Sequence, residues 1–415
     1  MKKTILFALF GGILGATSVM AANYDLYITG STAFRSQAFA ACQALYDGGN
    51  YSSANNGTVN AISSSDSRWT MTGTAANLGI TSGSDTLTIH ALWTGSVQGL
   101  SALKNKDQLV FLASATPQDT TLKTNTASAC LSDVFSAPTL DPLPSASFFE
   151  QPVAVQPFIF VKSLASGGVQ SVTNITWQQL NTFLGSSGGS VPLSYLTGKP
   201  GDYSTNIYMV HRTKDSGTRV TAVQEAKKIG TISVNYYDPT SDSYIPATTN
   251  RGPAQFGPGY VGGGDVKAVM QTNTIGNQAI AYLSYSDAKT ISSPNWSQML
   301  SYNGEYPIAN YTPGSTIATN DFTPICTGKY SFWAFEMLDW PQSSQYSTYT
   351  DQNIGYTRLN NVMTTLSATG PGAGPTGSFD NQIYLSETTG SKLAVAVRLG
   401  EVSVSRNAVG GTISP

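Results

Sequence analysis

The residues best suited to chemistry lie in one polar stretch, from His211 to Arg219. An alternating apolar run at 207–210 precedes it, and apolar residues at helical spacing follow it. This pattern predicts a strand, a turn and a helix, with Ser216 or Thr218 as the N-cap. A helix start carries partial positive charge and free N–H donors, and Arg212 would add a full charge. The stretch is a candidate anion site, although alone it also fits an ordinary capped helix beside a surface arginine.

The same arrangement recurs twice earlier in the chain. An alternating run at 24–29 leads into Gly30-Ser31-Thr32-Ala33-Phe34, and a second run at 86–92 leads into Gly95-Ser96. Strands that alternate with helices predict an α/β fold, in which ligands bind at the carboxyl ends of strands. A few charge-assisted hydrogen bonds, each worth about 1.5–3 kcal/mol, could supply the roughly 8 kcal/mol of micromolar binding. The repetition therefore favours a shared oxyanion site over an isolated capped helix.

Length and charge restrict the class of protein. The chain has 415 residues, enough for two or three domains or lobes. Lysine and arginine total 22 against 24 aspartates and glutamates, a net charge of -2, so no nucleic-acid partner is expected. Three cysteines and two histidines argue against structural zinc, and the sequence predicts no metal and no cofactor.

The sequence offers no enzymatic motif in the context that its chemistry requires. Residues 185–189 fit the letters Gly-x-Ser-x-Gly, but they follow a run at helical spacing and not the strand of a nucleophile elbow. The glycine-rich stretch 259–264 lacks the lysine of a P-loop. His90 lies in a strand-like run, which favours a structural role. We therefore expect a binding protein and not an enzyme, with no catalytic residues.

The N-terminus predicts export. Lys2 and Lys3 precede an apolar run at 5–14, and small residues end at Ala21. This pattern is typical of a cleaved signal peptide at residues 1–21. No cysteine follows the cleavage site, so no lipid anchor is expected, and no later run could span a bilayer. The mature chain is predicted to be periplasmic or secreted.

The odd number of cysteines leaves the pairing open. Cys42 lies on an apolar helical stripe, which predicts a buried thiol. By elimination, a disulfide between Cys130 and Cys326 is the expected pair in an oxidising compartment.

The three turns, in this order, resemble those of the phosphate-binding protein of the phosphate ABC transporter and its type 2 periplasmic binding relatives. Gly30–Phe34 resembles the first family motif, and Gly95–Gly99 resembles the second, Gly-Ser-x-x-Gly. Arg212–Thr218 closely matches the third, Arg-x-x-x-Ser-Gly-Thr. The likeness covers about residues 24–290. It implies a two-lobed type 2 periplasmic-binding-protein-like α/β fold with an interlobe cleft.

The resemblance also implies boundaries and a ligand. Lobe I would comprise 22–155, lobe II 156–284, and 285–415 would return to lobe I and add a C-terminal extension. The implied ligand is inorganic phosphate or a similar oxyanion, with an ABC permease as a further partner and a monomeric state. The implied ligand-binding residues are Ser31, Thr32, Ala33, Ser96, Arg212, Ser216, Gly217 and Thr218. The alternative is an extracellular structural or adhesive protein on this scaffold, with weak or lost anion binding.

One departure bears on the ligand. After its third strand the family carries Phe-x-Ala-Ser-Asp-x-Pro, and its aspartate accepts a hydrogen bond from the O–H that phosphate still carries near neutral pH and repels sulfate. The strand-like run 108–114 ends here in a sequence with Ala115 in place of that aspartate. We expect weaker discrimination against sulfate unless Asp85 or Asp119 supplies the carboxylate.

The C-terminal part is less clear from the sequence. The strongly apolar stretch 329–340 predicts a helix against the core, and 393–404 predicts a terminal strand. The resemblance does not explain the long loops at 47–85 and 286–328.

Overall fold

The structure is a computed structural model, and its described residues cover most of the mature chain. They are 21–55, 67–116, 120–137, 139, 142–164, 166–186, 189–227, 235–238, 243–246, 259–271, 278–291, 297–314, 321–349, 353–369, 378–388, 396–406 and 413. The predicted signal peptide, except for Ala21, lies outside the described residues, as does Asp119.

Strands and helices are interleaved along the chain. The strands are β1 (Asn23–Gly30), β2 (Tyr51–Asn55), β3 (Arg68–Gly73), β4 (Thr86–Leu92), β5 (Gln108–Leu112), β6 (Leu122–Thr126), β7 (Ala129–Ser132), β8 (Phe148–Lys162), β9 (Asn174–Ile175), β10 (Ser190–Pro192), β11 (Asn206–Val210), β12 (Asn235–Asp238), β13 (Ser243–Pro246), β14 (Gln278–Ser284), β15 (Met299–Tyr302) and β16 (Trp333–Pro341). The helices are α1 (Arg35–Ala44), α2 (Ser96–Asn105), α3 (Trp177–Gly185), α4 (Ser194–Thr197), α5 (Gly217–Glu225), α6 (Gly263–Gln271), α7 (Tyr285–Ala288), α8 (Thr323–Cys326), α9 (Ser343–Tyr346), α10 (Tyr356–Ser367) and α11 (Phe379–Thr388). Single 3-10 turns lie at Asp47–Gly49, Ala76–Leu78, Gly168–Ser171, Pro200–Asp202 and Leu399–Glu401.

A large mixed sheet organises the fold and confirms the α/β class. Its strand order is β10-β11-β14-β8-β16-β7-β1-β4-β3-β2, with β15 and β9 attached beside β8. β1 runs parallel to β4 and β7, and β11 runs parallel to β14. The strands that precede the predicted anion turns thus end in parallel pairs, the arrangement in which strand ends carry ligand sites.

Two hydrophobic clusters lie along this sheet. One contains the buried side chains around β11, β14 and the second half of β8, and the other surrounds β1, β3 and β4. β8 joins them: it pairs with β16 as far as Pro157 and with β14 from Phe158 onward. Pro157, which lacks an N–H donor, lies where the strand changes partner. These two large clusters thus divide the buried side chains of the sheet on either side of this change of partner.

The lobe boundaries predicted from the sequence stay a prediction. The hydrophobic packing shows where the chain passes from one cluster to the other. Buried side chains from Tyr285 to Ala334 belong to the cluster around β14, whereas Leu338 and the buried residues of α10 belong to the cluster around β1. β16 therefore crosses between the clusters antiparallel to β8.

The helix predicted over 329–340 is wrong, because residues Trp333–Pro341 form β16. This strand lies between β7 and β8 and pairs with both, so nearly all its side chains are buried. A strand that is covered on both faces reads as a continuous apolar run and loses the alternation that marks a strand. The predicted terminal strand at 393–404 is also wrong in its described part, where only Val397 bridges Val155.

The third predicted site strand is also misplaced. β5 pairs only with β6, in a separate two-stranded sheet, and β7 takes the position beside β1. Ala115 lines a cavity with Asn23 and Asp25, at the amino end of β1. Six strand residues at about 3.3 Å each place Ser31 roughly 20 Å from Asp25. Ala115 is therefore remote from the predicted anion turns.

The predicted disulfide is absent, because Cys130 and Cys326 are both reduced thiols in the structure. Cys130 lies in β7 inside the sheet, where its thiol donates to the Leu131 carbonyl at 3.4 Å. Cys326 ends α8 and packs against the other hydrophobic cluster. The pairing of Cys130 with Cys326 was wrong because it was inferred only from the surroundings of Cys42. That thiol is buried as predicted, and burial raises its pKa to about 12.

Among the described residues, no helix combines the length and the apolar character needed to cross a bilayer.

The close packing of α2 on β1 gives a first prediction. A Cβ atom on Gly99 would lie 2.7 Å from both Cys130 Sγ and Gly30 Cα. Gly99→Ala should therefore lower the free energy of unfolding by about 1–3 kcal/mol through overpacking, measured by urea denaturation. Gly264→Ala is the matched helical control, because a Cβ there meets nothing within 4 Å. It should be neutral or stabilise by up to about 1 kcal/mol, and an equal loss in both variants would contradict the packing argument.

Candidate functional site

The three predicted turns meet at the carboxyl ends of β1, β4 and β11. Gly95 N–H donates to the Gly30 carbonyl at 2.8 Å, which joins the first and second turns. Val97 N–H donates to the Asp215 carbonyl at 3.1 Å, which joins the second and third. Gly95 has a φ of 105°, and a Cβ there would lie 2.7 Å from Asp215 O. The approach of the second turn to the third therefore needs glycine at this position.

The first turn is held against β7. Ser31 N–H donates to the Leu131 carbonyl at 2.7 Å, and Ser31 Oγ accepts the N–H of Phe34 at 3.3 Å. Ser31, Thr32 and Ala33 are all buried, just before α1 begins at Arg35. The hydroxyl of Ser31 therefore stays in the turn and faces inward.

The third turn starts α5 with a true N-cap. Ser216 Oγ accepts the N–H of Arg219 at 3.3 Å. A helix leaves the N–H groups of its first residues, here Gly217 and Thr218, without intrahelical acceptors. This end of α5 therefore directs partial positive charge at the other two turns.

Arg212 is buried at the centre of this arrangement, with 2% of its surface exposed. Its Nη2 donates to Thr32 Oγ1 at 3.1 Å and to the Val261 carbonyl at 2.7 Å. Its Nε donates to the carbonyls of Tyr260 and Val261 at 3.3 and 3.2 Å. Gly259, with a φ of 107°, allows this support, because a Cβ there would lie 2.4 Å from Arg212 O. The glycine-rich stretch thus positions the arginine.

The charges around Arg212 are unevenly distributed. Burial lowers the pKa of its guanidinium, while the negative charges of Asp133 and Asp287 raise it. Asp287 is already paired with Arg35 at 3.1 Å, so the charge of Arg35 is largely neutralised. Asp133 forms no ion pair with another side chain in the described part of the chain, and its charge acts on Arg212.

Asp133 is the main residue that the sequence reasoning missed. It follows β7, and its carboxylate accepts hydrogen bonds from Ser96 Oγ and, at 3.4 Å, from Thr218 Oγ1. Burial raises its pKa, while the hydrogen bond from Ser96 and the charge of Arg212 lower it. A Cβ on Gly217 would lie 1.6 Å from Asp133 Oδ1, so only glycine fits between α5 and this carboxylate.

A second missed carboxyl lies behind the first turn. Glu336, in β16, has no exposed surface, and Ser31 Oγ lies 3.3 Å from its Oε2. Burial and the charge of Asp133 raise its pKa well above the usual range. Asp339, further along β16, is also wholly buried, and burial raises its pKa well above the usual range too.

The histidines lie outside the hydroxyl cluster. His211 Nδ1 lies 3.1 Å from the Tyr282 hydroxyl, and burial lowers its pKa to about 3. His90 Nδ1 bonds the Leu112 carbonyl at 2.7 Å, and its ring stacks on Tyr27. Both rings therefore have structural partners.

All eight residues predicted to bind the ligand lie in the three turns or in the strand end that carries Arg212. Thr32 and Arg212 contact each other, whereas Ser96, Gly217 and Thr218 surround Asp133. The sequence offered a faint signal for Asp133, since a Ser-Asp pair follows the short apolar run 129–131. The sequence offered no such signal for Glu336, because the apolar stretch around it indicated a helix.

No protein-family model matches the chain, and no curated protein matches it. Several solved structures do match the chain. A protein from Clostridium perfringens described as a phosphate ABC transporter substrate-binding protein, with bound phosphate, has a TM-score of 0.47 and 12% identity, over 90% of this chain and 99% of that one. The phosphate-bound periplasmic protein PfluDING has a TM-score of 0.45 and 14% identity, over 90% of each chain. An ABC-type phosphate transport receptor from Vibrio cholerae has a TM-score of 0.38 and 12% identity, over 81% and 96%. The chain is similar in structure to these phosphate-binding proteins, while most of its residues differ from theirs.

Proposed function

We propose that this chain is an exported solute-binding protein that holds an oxyanion, most favourably phosphate, between its two lobes. One observation carries the proposal: three strand-to-helix turns are hydrogen-bonded to one another around the buried guanidinium of Arg212. Hydroxyls and helix N–H groups that converge on a buried cation form an environment for an anion.

The ligand would lie between the lobes because its proposed donors come from both. Ser31 and Thr32 follow β1, whose buried side chains belong to one cluster, whereas Arg212 and Gly217 follow β11, whose buried side chains belong to the other. Binding would therefore favour the arrangement in which the clusters close on each other. The boundaries at about 155 and 284 belong to this proposal, as do the mature start near Ala22, the periplasmic or secreted location, the monomeric state and a permease partner.

Asp133 makes phosphate the favoured oxyanion. An ionised carboxylate next to the anion repels an unprotonated oxygen and accepts a hydrogen bond from a protonated one. Phosphate carries a proton near neutral pH and sulfate does not. The expectation of sulfate tolerance, which came from Ala115, therefore gives way to an expectation of discrimination by Asp133.

We infer binding without turnover. Ser216 Oγ caps α5 and accepts from Arg219, and neither histidine of the chain bonds a hydroxyl of the three turns. The serine-histidine pair of a classical serine hydrolase is therefore not formed at these turns. His211, with a pKa of about 3, would also be a weak base near neutral pH.

The first test is titration calorimetry of the mature chain with phosphate, after unfolding and refolding to remove bound ligand. Saturable binding is expected, and Arg212→Ala should weaken it by about 10- to 100-fold, because one charge-assisted interaction of about 1.5–3 kcal/mol is lost. Absence of phosphate binding by the refolded wild-type chain would refute the proposal.

Lys214→Ala is the matched control for Arg212. It removes a positive charge from the same turn, but its side chain is 60% exposed and its partner is Asp215. Phosphate affinity should stay within a few-fold of wild type, since exposed charges contribute little. Arg212→Lys keeps the charge without the two-pronged donor and should fall between wild type and Arg212→Ala.

A second prediction concerns selectivity. At about pH 8 the wild-type chain should prefer phosphate over sulfate, and Asp133→Asn should reduce that preference by at least about tenfold, because an amide can donate to sulfate. Calorimetry with both anions measures the ratio, and thermal melts confirm the fold. An unchanged ratio in Asp133→Asn would show that Asp133 does not select the anion.

A further inference from the structure

The hydroxyl of Ser31 has a limited number of hydrogen bonds to share. A serine hydroxyl donates one and accepts two. Ser31 Oγ already accepts the N–H of Phe34 at 3.3 Å, and it lies 3.3 Å from Glu336 Oε2. The direction of the contact with Glu336 therefore decides whether the proton of Ser31 is available to a ligand.

Glu336 is held in an unusual place for a carboxyl group. It has no exposed surface, and its Oε1 has no hydrogen-bond partner among the described residues. The pairing of β16 with β8 shifts register between Glu336 and Met337. Such irregularities commonly re-aim a side chain beside a functional site.

We propose that Glu336 is a positioning residue that switches the oxyanion site through Ser31. As a neutral acid, Glu336 donates its O–H to Ser31 Oγ, and Ser31 donates its own proton to the anion. As a carboxylate, Glu336 accepts a hydrogen bond from the Ser31 hydroxyl, which then no longer donates to the anion, and it adds a negative charge behind the turn. The inference rests on the proposed oxyanion function and adds proton-linked control to it.

The proton balance follows directly. Binding to the chain with neutral Glu336 moves no proton at this residue. Binding to the chain with ionised Glu336 takes up one proton from solvent, which forms the carboxylic acid O–H. The anion therefore binds more weakly as the pH rises through the pKa of Glu336, and at most one proton per site is taken up by this group.

The surroundings of Glu336 favour its neutral acid over its carboxylate. Burial is the largest effect, and the negative charges of Asp133 and Asp339 also raise its pKa, against the single hydrogen bond with Ser31. Cys130, on β7, belongs to the same acidic environment, because burial and these three carboxyls raise its pKa. Each of these effects disfavours the carboxylate, so ionisation of Glu336 requires a higher pH than that of an exposed glutamate.

The experiment compares phosphate binding by wild type and Glu336→Gln from about pH 5 to about pH 9. The glutamine amide donates to Ser31 Oγ at every pH and imitates the neutral acid. The ionisation of phosphate affects both proteins alike, so the ratio of their dissociation constants isolates Glu336. The dissociation constant of wild type divided by that of Glu336→Gln should rise by at least about tenfold toward high pH, as expected when one charge-assisted hydrogen bond to the anion is lost. Calorimetry in buffers of different ionisation enthalpy should show up to one more proton taken up by wild type.

Two further variants identify the route. In a Ser31→Ala background, Glu336→Gln should change the pH dependence much less than it does with Ser31 present; an undiminished difference would mean that the carboxyl acts by charge alone and would overturn the inference. Asp339→Asn removes a buried acid from the same strand that has no hydrogen bond to Ser31, and it should not abolish the pH dependence. If Glu336→Gln does not fold, proton uptake by wild type and its reduction in Ser31→Ala decide the question.

The outcomes separate the two proposals. Saturable phosphate binding with the same pH profile in wild type and Glu336→Gln would overturn the switch and leave the oxyanion site intact. Absence of phosphate binding by both proteins at every pH would overturn the proposed function and, with it, the switch.

Discussion

The buried guanidinium of Arg212 is the interaction on which the site depends. A charge removed from water is stable only when hydrogen bonds and opposite charges replace its hydration. Here the carbonyls of Tyr260 and Val261 and the hydroxyl of Thr32 supply the hydrogen bonds, and Asp133 supplies the charge. These groups come from both hydrophobic clusters, so the solvation of one side chain links the two halves of the molecule.

The same residues create a site with opposing charges. In the proposed site, Arg212 and the start of α5 would attract an anion, whereas ionised Asp133 would oppose one that brings no proton, and Glu336 would do so once it ionises. A site built only from donors would bind oxyanions by charge, but carboxyls beside the donors make the protonation of the ligand and of the site part of recognition. Glycine at 217 is the steric condition for this balance, because any side chain there would displace Asp133.

Much of the site could be predicted from the sequence, because turns after alternating strands carry local signals. The strand at 206–210, the N-cap Ser216 and the helix after it depend on neighbouring residues, and the structure confirms them. Gly95 and Gly217 mark points of close approach that a sequence can suggest but not assign. The apolar run of β16 gave a wrong helix because burial on both faces removes the alternation of a strand.

The sequence by itself therefore determined the local chemistry: three polar turns, the arginine before the third and the low net charge. The tertiary structure alone decided which strand lies beside β1, because strand pairing joins segments that are distant in the chain. The pairing of β7 with β1 places Asp133, which follows β7, in the site. Ala115, which follows β5, lies at the opposite end of β1. Strand pairing also buries Glu336 behind Ser31, 305 positions away in the chain. No local pattern encodes such a contact, since its energy comes from packing between distant segments.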